Sequence, residues 1–237
     1  MREMGQVVRE MRIVCFGDSV TRGITFLKGR LRIVKESYPA ILQQLIGEGN
    51  GEVLNKGVFN DNSTLMVERL ESDVIEQQPD FVLVEVGGND CNFDWAEVAK
   101  WPDEDHEPIV LLNDYLNNLR QIVENVTNAG ITPILMTVLP LDPVRYYAQI
   151  MLLHGKNIAH WIATCGGIEH WHGNYNRQLR NLMKEMNVLS IDLRSRFKQA
   201  GNLDDLLSDD GIHPSRAGYK AMAEIIRDEL GNLGIIR

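Results

Sequence analysis

Three features of the 237-residue chain predict an α/β fold built on a parallel sheet with helices on both faces. Short apolar runs without polar alternation mark buried strands. Amphipathic patterns with helical spacing lie between them. Glycine or proline punctuates most of the changes from one pattern to the next.

The elements follow in order. Ile13-Val14-Cys15-Phe16 is an apolar strand ending at Gly17. Apolar residues at 38, 41, 42, 45 and 46 predict a helix over Tyr38 to Ile46, stopped by Gly47. Val53-Leu54 is a weak second strand. Ser63 to Gln77 reads as one helix, with Leu65, Met66, Leu70, Val74 and Ile75 on one side. Phe81 to Val86 is the clearest strand, ended by Gly87-Gly88. Ile109 to Ala129 is a long helix closed by Gly130, and Ile134 to Val138 is a strand ended beyond it by Pro140. Tyr175 to Met186 is helical, Val188 to Leu193 is a last strand, and Pro214 to Leu230 is a last helix. No repeat, low-complexity tract or linker interrupts this order. The chain reads as one domain over 1–237, with an insertion at about 141–173.

Hydrophobic residues at 44% and charged residues at 24% are ordinary for a globular chain. A formal net charge of −9 repels phosphate backbones and argues against a nucleic-acid partner. The one basic run, Lys28, Arg30 and Arg32 interleaved with Leu31 and Ile33, reads as a solvated face. Cys15, Cys91 and Cys165 form neither a disulfide framework nor a zinc pair. No apolar run approaches the ~20 residues of a membrane span. The charged N-terminus from Met1 to Arg12 lacks a leader's apolar core, so the expected setting is cytoplasmic. No cofactor is expected.

In open parallel sheets, ligands lie beyond the C-terminal strand ends, and four segments near that edge carry chemistry. Gly17-Asp18-Ser19 presents a serine, which needs an adjacent base to become a nucleophile. Asp210-Gly211-Ile212-His213-Pro214 supplies a carboxylate and an imidazole three residues apart, with Pro214 expected at the first helical position. Gly87-Gly88-Asn89-Asp90 offers a side-chain amide for a developing oxyanion. The loop Asn55 to Ser63 offers a backbone N–H, or merely an N-cap from Asp61, Asn62 or Ser63. Each segment alone also reads as a turn or a cap. Their order around one sheet edge favours a site.

Together these four blocks resemble the signature of the SGNH hydrolases, also called GDSL-type esterases, over almost the whole chain. The resemblance implies a three-layer α/β/α sandwich of flavodoxin-like type and metal-free hydrolysis of acyl esters. It implies Ser19 as nucleophile and oxyanion N–H donor, Asn89 as oxyanion amide, His213 as general base and Asp210 as its carboxylate partner. Two positions depart from the pattern. Val20 stands where the family name has leucine. Asn60 stands where the family has its oxyanion glycine, just before Asp61-Asn62-Ser63. A backbone N–H survives that change, and asparagine tolerates positive φ.

Asp18, Phe59, Phe93, Trp161 and Ile212 are the expected pocket residues. His170-Trp171-His172 is too sparse a ligand set for a metal site. The expected substrate is a small carboxylic ester, such as an acetylated sugar. A lysophospholipase or thioesterase, or a non-catalytic binding domain on the same scaffold, is the alternative. The sequence leaves a homo-oligomer open.

Overall fold

Ile13, Val14, Cys15 and Phe16 have no exposed surface, as expected of a strand buried on both faces. In the computed structural model, which describes residues 10–236, they lie in β1 (Arg12–Gly17), an interior strand of the sheet. The charged N-terminus read above falls largely outside the described residues.

After β1 come α1 (Ser19–Arg22), β2 (Ile24–Leu27), β3 (Arg30–Ile33), α2 (Tyr38–Ile46) and β4 (Glu52–Gly57). Then follow α3 (Ser63–Glu68), α4 (Leu70–Asp73), β5 (Phe81–Glu85), α5 (Trp95–Lys100), α6 (Leu112–Asn128) and β6 (Thr132–Met136). The last third holds α7 (Pro143–His154), α8 (Ile158–Thr164), α9 (Ile168–Glu185), β7 (Leu189–Ile191), α10 (Leu193–Ala200), α11 (Leu203–Leu206) and α12 (Arg216–Asn232).

Among the described residues the main sheet has five strands in the order β4-β1-β5-β6-β7, all parallel. Residues of β1 alternate between its faces. Ile13 and Cys15 pack with Tyr38 and Leu42 of α2, Phe197 of α10 and Tyr219 of α12. Val14 and Phe16 pack with Met66 of α3, Leu119 of α6 and Leu179 of α9. The result is the three-layer α/β/α sandwich. A third apolar cluster joins Phe93, Trp95 and Val98 to Leu141, Tyr146, Ile158 and Trp161. Strand order reverses between β1 and β5, which makes their C-terminal ends the crevice of such a sheet.

Four elements differ from the sequence reading. The basic run is half of an antiparallel hairpin, β2–β3, although β3 is exposed throughout as expected. The helix predicted over 63–77 breaks at Arg69 (φ −104°, ψ 7°). The Arg69 guanidinium turns inward there, donating to Gly17 O, Lys56 O, Asp61 and Asp73. The helix predicted from Tyr175 begins earlier, at Ile168. Pro214 is not in the final helix, because it pairs with Leu207 in a short bridge. Ser215 caps that helix instead, its Oγ accepting from Gly218 N at 3.1 Å.

Candidate active site

Gly17 ends β1, and the chain turns at once into α1. Asp18 caps this turn, its Oδ1 accepting from Val20 N at 2.8 Å. Ser19 thus opens a helical turn with its N–H lacking an intrahelical acceptor. It lies at the crevice and is nearly buried.

From the far end of the chain, His213 Nε2 approaches Ser19 Oγ at 3.0 Å. His213 Nδ1 lies 2.6 Å from Asp210 Oδ2. The other carboxylate oxygen, Oδ1, accepts from Ile212 N and His213 N at 3.2 and 3.1 Å. Gly211 makes this tight loop possible: its φ is 76°, and a Cβ there would meet Tyr146 N at 2.6 Å. Burial pulls the Asp210 carboxyl up, but the bond from His213, its charge and the two amides hold it below the ordinary value. Asp210 is therefore ionised near neutrality, and one hydrogen-bonded line joins carboxylate, imidazole and hydroxyl.

Asn89 lies at the cavity, in the turn after β5. Its Nδ2 donates to Asp61 O at 2.7 Å, tying the side chain to the loop after β4. Asn60 has φ 62°, the positive value expected for a residue in the glycine position. It sits at the exposed tip of that loop, outside the cavity walls. Phe59 does not enter the cavity either. The Val58–Asp61 turn (Asp61 N to Val58 O, 3.4 Å) carries it outward, leaving it 44% exposed. Asn62, of the three candidate caps, accepts from Leu65 N.

A mostly apolar cavity of about 850 Å³, its open mouth included, adjoins Ser19 and His213. Of the expected pocket residues, Asp18, Phe93, Trp161 and Ile212 line it. Phe93 is the hub of its aromatic wall, with ring centroids 5.5, 5.7 and 5.3 Å from Trp95, Trp161 and Trp171.

Sequence reasoning missed Glu85, and weighed His172 only as a metal ligand. Glu85 is the lone acid in the strongest strand, which is the signal that could have found it. It is 2% exposed, with Oε2 unpaired, and burial pushes its carboxyl well above the ordinary value, with Asp18 and Asp90 adding to the rise. The same burial, reinforced by Asp90 and Asp61 against the pull of Val20 N–H and His213, lifts Asp18 to about 7. His172 is buried with Nδ1 3.0 Å from the Arg194 guanidinium. Burial and then that cation lower its pKa to about 3. His170 and His172 form no three-ligand cluster among the described residues.

Known proteins match this chain along most of its length. The uncharacterized lipoprotein YqeF of Bacillus subtilis is 26% identical over 236 residues, covering 91% of this chain and 88% of that protein. An acetylxylan esterase of Geobacillus stearothermophilus is also 26% identical, covering 93% and 94%. The crystal structure of a lipase/acylhydrolase from Enterococcus faecalis superposes with a TM-score of 0.68 at 20% identity, covering 94% of this chain and 96% of that one. The model of the GDSL-like Lipase/Acylhydrolase family matches residues 15–221, and across that span the Ser19, Asn89 and Asp210–His213 blocks lie at one sheet edge. The chain is thus a member of the GDSL-like Lipase/Acylhydrolase family, the SGNH hydrolases.

Proposed function

We propose that the chain is a carboxylic ester hydrolase working through an acyl-enzyme on Ser19. The observation that carries this is the unbroken line from Asp210 through His213 to Ser19 Oγ, at 2.6 and 3.0 Å, beside an open cavity.

His213 takes the Ser19 proton as Oγ attacks the ester carbonyl. Asp210, ionised, holds the ring with Nδ1–H toward itself and stabilises the imidazolium that forms. Ser19 N–H and the Asn89 amide receive the oxyanion. Protonated His213 releases the alcohol. The same base then activates water, which returns Ser19 and frees the acid.

The substrate favoured by similarity is an O-acetyl group on a carbohydrate, because acetylxylan esterases are among the relatives. The apolar depth of the cavity favours a second reading, an ester with a longer acyl chain. Turnover across p-nitrophenyl acyl lengths, beside acetylated xylan oligomers, separates the two.

Ser19→Ala is expected to lower kcat on p-nitrophenyl acetate by about a thousandfold or more and to abolish labelling by a fluorophosphonate probe. Undiminished turnover in that variant contradicts the reading.

A further inference from the structure

One guanidinium ties together the segments that carry the site. Arg69 stands where the helical stretch after the 58–62 loop breaks, and its side chain is only 16% exposed. Its Nη2 donates to Gly17 O at 2.9 Å, at the end of β1. Its Nη1 donates to Lys56 O at 3.0 Å, in β4, and to Asp73 at 2.8 Å, in α4. Its Nε donates to Asp61 Oδ2 at 2.5 Å, in the loop after β4. The Phe16 ring centroid lies 4.4 Å from its central carbon and covers one face. Arg69 itself lies outside the cavity walls.

Two of those segments lead to the groups that would receive the oxyanion. Gly17 runs directly into the Asp18–Ser19 turn. Asp61 is held at both ends, because its backbone oxygen accepts from Asn89 Nδ2 at 2.7 Å while its carboxylate accepts from Arg69. A side-chain amide is planar and carries two hydrogens, so fixing one fixes the other. The second Asn89 hydrogen is the one left for the cavity. Asp18 Oδ2 is 3.5 Å from that nitrogen, too far for a strong bond. Where this N–H stands relative to Ser19 therefore depends on the distance between the end of β1 and Asp61. The Arg69 fork spans that distance.

We propose that Arg69 is a positioning residue for ester hydrolysis: it clamps the end of β1 to the Asp61 loop and, through Asp61, sets the Asn89 amide against the turn of Ser19. The clamp needs a guanidinium and not merely a cation. The guanidinium presents five N–H groups in one rigid plane and reaches Gly17 O and Asp61 Oδ2 at once. A lysine ammonium gathers its three hydrogens on one atom and keeps the charge facing Asp61 and Asp73 without the span. A cation serving stability alone would tolerate that exchange. Contacts to the oxyanion form only in the transition state, so a slack clamp lowers kcat and leaves KM in place. The role of Asn89 as donor, and so this proposal, rests on the ester-hydrolase reading.

A double-mutant cycle tests the clamp. Arg69→Lys is expected to lower kcat on p-nitrophenyl acetate about tenfold to a hundredfold, with KM held within about twofold. Asn89→Ala should cost about a hundredfold. In the Asn89→Ala background no amide is left to misplace, so Arg69→Lys should then cost less than about threefold. An undiminished kcat in Arg69→Lys, or the same fold loss in both backgrounds, overturns the clamp. A residue that only stabilises the fold lowers the melting temperature without this coupling. The other end of the clamp guards against a misfolded Arg69 variant: Asp61→Asn, which keeps an oxygen for Nε, should retain more kcat than Asp61→Ala, and equal losses overturn the clamp. The side-chain NH2 signals of Asn89 in nitrogen-15 NMR, assigned by their loss in Asn89→Ala, give a readout that needs no turnover. They are expected to move in Arg69→Lys, and unmoved signals overturn the clamp. Fluorophosphonate labelling of Ser19 judges the hydrolase reading separately. A chain whose Asn89 signals move but which resists the probe keeps the clamp on Asn89 and loses the esterase.

Discussion

Asp18 caps the turn that carries Ser19, and its buried carboxyl keeps a proton up to about pH 7. An unfolded chain gives up that proton near 3.8. Between those values the folded chain binds more protons than the unfolded one, so this group's contribution to stability declines as pH rises. Asp18→Asn abolishes the titration and keeps an oxygen for Val20 N–H. The urea midpoint of the variant should therefore gain on that of the wild type from pH 4 to pH 7 and hold its lead above. A gap that stays constant over that range contradicts the account. His172 titrates in the opposite sense but is common to both proteins, so it cancels. At this scale the sequence was legible where residue type and order carry the chemistry: Ser19, Asn89, Asp210 and His213 do come to one edge. It was not legible where a partner decides. Nothing in the string says that the N–H of Trp171 finds a carbonyl while that of Trp161 finds none.

Gly57 ends β4 against the turn that follows Ser19. A Cβ there would lie 2.1 Å from Arg22 N and 2.5 Å from Thr21 C, both backbone atoms that no rotamer change can move. Gly57→Ala should cost on the order of 2 kcal/mol or more. Gly88→Ala, whose Cβ meets nothing within 4 Å, should cost less than about 0.5 kcal/mol. Thermal unfolding of the two variants checks the contrast, and equal losses would refute it. Parallel strands were easy to see in the sequence because burial on both faces makes them continuously apolar. The β2–β3 hairpin was not. Its two-residue turn has positive φ at both positions, 52° at Lys28 and 73° at Gly29. Asparagine or aspartate normally announces the first of these, and lysine hides it. The break at Arg69 was hidden for another reason: the hydrophobic spacing runs through it, and only the ligands of the guanidinium interrupt the helix.

Across the molecule, two apolar layers sandwich the sheet, while α7 and α8 belong to the third cluster, over the cavity. Val144 and Leu152 on α7 are 75% and 80% exposed, whereas β1 is sealed. Hydrogen exchange should accordingly open α7 and α8 well before β1 and β5, and equal protection of all four would contradict this. The alternation of strand and helix made the layered architecture legible, since it depends on period alone. The cavity's shape depends on how three helices from 143 to 185 settle together, which period does not encode. One distance already described sets a clock. Ser19 and His213 meet at 3.0 Å across 194 residues of chain, and Tyr219 OH bonds Ile24 O across 195. At ribosomal speeds of about 5–20 residues per second, the serine waits roughly 10–40 s for its imidazole. Through that interval the nascent chain carries the hydroxyl without the ring proposed to activate it. On the mechanism proposed above, a message cut short anywhere before the codon for His213 yields a chain without the base for Ser19.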